Sequence, residues 1–234
     1  MDQELGHKIL DIILYIGMVI LVVVIFLLGS VSRRQPLVFR WLIPTLVFSL
    51  SCDLISILII LDVFGGDPNI GGNLYTLGDV LSYSPFFYFA IGWKPLQKYF
   101  IAINIGYLIF VICNFMWWQK NAINSYSDSL FVILIVFFCL TYYYKLLREL
   151  PTEDLFHMPL FWIISAMFVG LSGKLVLYSI IEYLMGHMGD NLLILFIIHN
   201  SITIIQNLMY LWGAWLQYKI IKNYKPVMQL QNGS

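Results

Sequence analysis

Residues 12–29 read IILYIGMVILVVVIFLLG, eighteen consecutive positions without a charged side chain. A run of that length and character reads as a membrane-crossing helix, because lipid offers no partner for backbone polar groups and a helix satisfies its own. Six further apolar runs follow, separated by short segments that hold the Gly, Pro, Asn and charges, so spans are expected at about 9–29, 41–62, 76–93, 99–118, 129–147, 159–186 and 191–221. The third is the shortest and is interrupted by Pro85, which a membrane helix tolerates as a kink. The expected fold class is therefore all-α, a seven-transmembrane-helix bundle forming one domain over 1–234, with 222–234 as a short tail. Composition agrees: the 234 residues are 60% hydrophobic and 11% charged, with a mean hydropathy of +0.83, outside the range of soluble domains. The first run is too long for a signal-peptide core and has neither a basic flank before it nor a small-residue cleavage site after it. No internal repeat suggests an inverted-repeat transporter.

Basic residues set the expected orientation, since cytoplasmic loops retain Lys and Arg. Arg33, Arg34, Arg40, Lys94, Lys98, Lys145, Arg148, Lys219, Lys222 and Lys225 all fall on one side of the expected bundle, and Lys8 and Lys120 on the other. That places the N-terminus outside and the C-terminus inside an inner (cytoplasmic) membrane, with Trp41 and Trp93 at inner boundaries and Trp117 and Trp118 at an outer one. With 13 basic and 13 acidic residues the chain has no net charge that would draw nucleic acid; the bilayer is the expected partner. Cys52, Cys113 and Cys139 sit in apolar runs without metal or disulfide spacing, and read as small core residues.

The apolar runs are broken by a few polar side chains. A rise of about 1.5 Å per residue places Asp53, Asp79, Lys174 and His199 in one layer toward the outer face, with Asn114 beside them. Charges at such depth are costly and face the bundle interior. Ser49, Asp53 and Ser56 repeat on one face of the second span, and His199, Thr203, Gln206, Asn207 and Tyr210 form a stripe down the seventh. In the sixth, Ala166, Gly170 and Gly173 offer a small-residue surface for close packing beside Lys174. The layer reads either as a polar pocket open to the outside, with Lys174 paired to Asp53 or Asp79, or as a buried ion pair that only fixes helix register. Asn104 and Asn207 read as helix-to-helix bonds. No catalytic, nucleotide-binding or metal-binding motif is present, so neither a catalytic residue nor a metal is expected and the chain does not read as an enzyme.

DVLSYSP, Asp79 to Pro85, resembles the third-helix segment of microbial rhodopsins, in which an aspartate counterion precedes hydroxyl residues and a proline. That family carries its retinal on a seventh-helix lysine, and FIIHNSITIIQNLMYLWGAW contains none, so retinal and other cofactors are not expected. From residue 150 on, Pro159, Phe161, Trp162, Ile163, a small-residue sixth helix, then His199, Asn200, Ser201 and Asn207, resemble a group of small integral membrane proteins of Bacteroidetes; GNLYTLGDVL, residues 72–81, resembles their third-helix entry. That resemblance implies seven helices and a signalling role beside a separate protein such as a sensor kinase. The expected function is a receptor-like or sensory protein that binds a small molecule or partner in the outer polar layer. The alternatives are a proton- or solute-coupled transporter using Asp53, Asp79, Lys174 and His199 as a relay, and a structural subunit of a membrane complex.

Overall fold

The computed structural model describes residues 3–60, 68–92, 94–118, 125–149, 154–187 and 192–223. Every regular element among them is helical. The seven long helices are α1 Gln3–Ser30, α2 Leu37–Ile60, α3 Pro68–Ile91, α4 Lys94–Cys113, α5 Ser125–Glu149, α6 Pro159–His187 and α7 Leu192–Asn223. Five of them, α1, α2, α4, α5 and α6, contain segments long and apolar enough to cross a membrane, and the apolar part of α3, Val80–Ile91, is shorter. The chain is thus a helical protein of multi-pass membrane character.

Each helix follows its expected run, and α1 to α5 start four to eight residues earlier. α3 begins at Pro68 rather than near residue 76, since a proline at the first helical position gives up only an N–H that has no helical partner. α5 begins at Ser125 rather than 129, which draws Asp128 into the first turn, where the helix dipole favours an acid. α4 ends in a π-helical turn, Asn114–Trp118. Two prolines lie inside helices, Pro85 as expected and Pro44 in α2. Pro85 removes the donor for the Leu81 carbonyl. The adjacent Ser82 carbonyl accepts from Thr45 Oγ at 2.7 Å, so a hydroxyl on α2 bonds α3 at its proline site.

The packing order is not the sequence order. Contacts run α1 to α2, α2 to α3, α3 directly to α5, α5 to α6, α6 to α7 and α7 back to α1, closing a ring of six helices. α4 packs on α3 and α5 from outside that ring. Aromatic side chains hold this flank: Phe100 of α4 stacks on Phe138 of α5 at 4.8 Å, and Phe138 meets Phe87 of α3 at 5.5 Å. Ser84 donates to Asn104 Oδ1, a bond from α3 to α4 that the sequence anticipated for Asn104.

Glycines set the closest approaches. A Cβ on Gly78 would overlap the Phe48 ring, so α3 meets α2 through that bare backbone. On α6, Gly170 faces Gln206 and Gly173 faces Ile202, and on α7 Gly213 faces Ile163 and the Pro159 carbonyl. The expected small-residue surface is the α6–α7 interface, and Ala166 within it is fully buried.

The basic helix ends gather at one end of the bundle. Lys145 Nζ donates to the Ile91 carbonyl at 2.8 Å, joining the ends of α5 and α3, and Arg40 donates to the carbonyls of Ser32 and Arg33 between α1 and α2. Trp41 stacks on Phe89, and Trp162, whose indole donates to the Phe156 carbonyl, meets Trp212. Trp117 is widely exposed at the far end of α4. Trp93, Lys120, Lys225 and the tail beyond Asn223 lie outside the described residues, as does the side chain of Trp118.

Candidate functional site

A polar hollow occupies the middle of the six-helix ring. Its volume is about 160 Å³, and among the described residues all six ring helices line it and α4 does not. α1 presents Gly17 and apolar neighbours, α2 Ser49 and Asp53, α3 Tyr83, α5 Asp128 and Phe131, and α6 Lys174. α7 supplies the longest wall, His199, Asn200, Thr203, Gln206, Asn207 and Tyr210.

Helical periodicity explains how one chain brings these groups together. On α2, Ser49 and Asp53 are four residues apart and share a face; on α5, Asp128, Phe131 and Val132 do the same at three and four. On α7, His199, Thr203, Gln206 and Tyr210 descend by successive turns, spanning about 16 Å at 1.5 Å per residue.

Hydrogen bonds hold that wall in place. Thr203 Oγ donates to the His199 carbonyl at 3.0 Å, and Gln206 Nε2 donates to the Tyr210 hydroxyl at 3.0 Å. Asn207 Nδ2 donates to the Gly17 carbonyl at 3.0 Å, tying α7 to α1, the helix-to-helix bond expected of it. Gln206 is pinned on its other side by the bare backbone of Gly170. The charge of Lys174 acts on both Asp53 and His199, so cation, carboxylate and imidazole form one electrostatic group at one end of the hollow.

The second carboxylate is positioned by α4 from behind. Asn114 Nδ2 donates to Ser127 Oγ at 2.9 Å, and the Tyr107 hydroxyl donates to the Ser127 carbonyl at 3.0 Å. Those two bonds fix the first turn of α5, and with it Asp128. Beside Asp128, Tyr83 meets the Phe131 ring edge-on at 5.6 Å.

The residues singled out in the sequence divide accordingly. Asp53, Lys174, His199, Thr203, Gln206, Asn207 and Tyr210 all line the one hollow. Asn114 does not: it sits in the π-helical turn after α4, outside the ring, fully buried against Ser127. Asp79 lies on α3 next to Gly78, and its side chain lies outside the described residues. Asp128 and Tyr83 are additions. Asp128 escaped because it stands one residue before the expected start of the fifth span; its spacing to Phe131 and Val132, and the preference of an acid for a first helical turn, are the signals that place it.

No group of three or more His, Cys, Asp or Glu side chains among the described residues converges as metal ligands do. Cys52, Cys113 and Cys139 form no disulfide among the described residues, and Cys139 is buried against the Ile164 carbonyl. No protein-family model, curated protein or solved structure matches the chain.

Proposed function

We propose that this protein is a receptor-like or sensory membrane protein that binds a small molecule in the hollow of the six-helix ring and signals through a separate protein. Its spans number seven, its N-terminus lies outside and its C-terminus inside an inner membrane; the basic helix ends at one end of the bundle support that orientation. The observation that carries the reading is the hollow itself, with two carboxylates, an ammonium, an imidazole and five α7 amide and hydroxyl groups converging on about 160 Å³. Binding sites have this form, a cavity with a few convergent polar groups at a junction of helices.

The polar wall of α7 covers about 16 Å, roughly half of an apolar core about 30 Å thick. That extent supports a pocket better than a through-path, and so favours the receptor over the transporter reading. Signalling then consists of a shift between two packings of the ring, biased by contacts the ligand makes in one of them. The α6–α7 seam is where such a shift is transmitted, since Gly170 and Gly173 let the α7 side chains Gln206 and Ile202 pack directly on the α6 backbone beside the hollow.

The test has two stages. Purified protein and its Thr203→Leu variant, which fills the hollow, are screened by thermal unfolding against metabolite-sized compounds of each charge class. A site ligand stabilises the wild type by about 2.7 kcal/mol at a hundredfold excess over Kd and leaves Thr203→Leu unmoved. Spin labels at Lys98→Cys and Lys219→Cys then report whether the basic ends of α4 and α7 change separation with that ligand. Binding without any change in separation removes the sensory reading; no compound that distinguishes the two proteins removes the site.

A further inference from the structure

We propose that the face of α7 running from Trp212 to Lys222 binds an anionic phospholipid, whose phosphate is received by Lys219, Lys222 and the indole of Trp215. The site lies on the outer surface of the bundle, so the inference is independent of what occupies the hollow.

Depth is the first argument. The apolar span of α6 begins at Pro159, and Gly213 of α7 faces the Pro159 carbonyl, which sets Gly213 level with the edge of the apolar layer. At about 1.5 Å per residue the backbone of Trp215 lies about 3 Å beyond that edge, Lys219 about 9 Å and Lys222 about 14 Å. A bilayer about 40–45 Å thick around an apolar core of about 30 Å has roughly 5–7 Å of headgroup layer on each side. Trp215 falls within that layer. Side chains on a helix lean toward its N-terminus, here back toward the membrane, and the Lys219 ammonium follows, resting 5.2 Å from the centre of the Trp215 ring. Its charge is thus held at the depth of lipid phosphates.

The chemistry of the face is the second argument. Trp212, Trp215, Lys219 and Lys222 follow one another at three and four residues and share one side of α7. The two tryptophans are 47% and 41% exposed, so much of each ring faces outward from the bundle. Trp162 of α6 meets Trp212 edge-on and carries the aromatic wall across the α6–α7 seam. The face offers two indole N–H groups and two ammoniums, and α7 contains no Asp or Glu. Neither ammonium is ion-paired among the described residues; Glu149 and Asp154, acids at the same end, are held by Lys145 at 3.8 Å and His157 at 3.2 Å. Lys222 donates to the Tyr218 hydroxyl at 3.2 Å, which uses one of its three N–H bonds.

A phosphodiester with acyl chains is the complement of that face. Its oxygens accept without donating, its charge is negative, and its chains cover the exposed rings, whose polar edges remain at headgroup level. A zwitterionic headgroup brings an ammonium of its own toward Lys219 and Lys222, so a lipid of net negative charge is preferred. A soluble acidic segment would satisfy the lysines but has no apolar part to cover Trp212 and Trp215.

The experiment takes the full-length protein, stripped of lipid in detergent, and counts bound lipid by native mass spectrometry during titration with phosphatidylglycerol or phosphatidylcholine. The expected result is saturable binding of phosphatidylglycerol, weaker binding of phosphatidylcholine, and no displacement by a large excess of inorganic phosphate. Replacing both lysines, Lys219→Gln with Lys222→Gln, should weaken phosphatidylglycerol roughly thirtyfold, the combined attraction of two lysines for an anionic lipid surface. Trp215→Leu, which keeps every charge, should weaken it severalfold. Lys94→Gln with Lys98→Gln removes two lysines of α4 and should leave the affinity unchanged. All four lysines are exposed, so these variants leave the packed interior intact. Equal weakening by the two lysine pairs, or none by the α7 pair, overturns the site. Phosphatidylcholine binding as tightly overturns the choice of an anionic lipid. Displacement by inorganic phosphate makes the ligand a soluble anion, and a polyglutamate peptide that displaces the lipid and needs the α7 lysines assigns the face to an acidic protein; either overturns the lipid.

Discussion

Adding a single methyl at Gly170 tests the seam on which both the hollow and its proposed response depend. An ideal Cβ there would overlap Gln206 Oε1 and Cδ and stand 2.8 Å from its Cγ. Gln206 has nowhere easy to go: it is 5% exposed, and its amide nitrogen donates to Tyr210. Gly170→Ala therefore forces the α6–α7 backbones apart or expels the Gln206 side chain from its bond. Overpacking of this kind costs about 1–3 kcal/mol, and the Gln206–Tyr210 bond is worth about 0.5–1.5 kcal/mol. Against these stands the helix preference for Ala over Gly, about 1 kcal/mol. The terms combine to a net loss of about 2 kcal/mol, within a range of roughly 0.5–3.5.

The assay is reversible unfolding in mixed micelles of the wild type, Gly170→Ala, Gln206→Ala and the double variant. Removing the Gln206 side chain removes the obstacle, so the double variant should be more stable than the sum of the single changes by about 1–3 kcal/mol, as expected for residues in contact. Were Gly170→Ala to be more stable than the wild type, with strict additivity in the double variant, the α6–α7 contact described above would be wrong. Any ligand found for the hollow should also lose affinity in Gly170→Ala, because Gln206 is part of its wall.

Two further outcomes follow from named contacts and charges. Asn207→Leu breaks the bond to the Gly17 carbonyl and should cost about 0.6–1.7 kcal/mol in the same unfolding assay, the range of interhelical bonds in membranes; an unchanged midpoint would show that this bond does not hold α1 to α7. For orientation, a membrane-impermeant maleimide should label Lys8→Cys in intact cells and Lys219→Cys only after permeabilisation, in a background with the three native cysteines replaced; the opposite pattern would invert the topology.

The helices were legible because twenty apolar residues in a row leave few alternatives, and the α6 surface because Ala166, Gly170 and Gly173 fall on one side at helical spacing. Their starts were less so. PNIGGNLY, the start of α3, is rich in Pro, Asn and Gly, which favour turns in water, and only Pro68 carries a helix-start signal. The ring was not legible at all. Hydropathy ranks each span separately, whereas the exclusion of α4 depends on Phe87 of α3 reaching Phe138 of α5 directly, a pairing between distant segments. Asn114 illustrates the consequence. Depth alone groups it with Lys174, yet on a helix outside the ring the same depth brings it to Ser127 rather than to the hollow.

Lys174 in LSGKLVLYS now has a physical setting, and the cost of that setting bears on what it is for. A charged side chain at mid-membrane depth is unfavourable by about 2.5–3.5 kcal/mol on insertion scales, and one carboxylate partner suffices to fix register. The hollow goes further, lined also by a second acid at Asp128, an imidazole, and the hydrogen-bonded α7 wall of Thr203, Gln206, Asn207 and Tyr210. Were that space an empty apolar void, leaving 160 Å³ unfilled would cost about 4 kcal/mol at 24 cal/mol per Å³. Larger side chains at Gly17, Ser49 or Thr203 would close it without adding a charge. A bundle shaped by stability alone has no reason to keep that opening, and a binding site does.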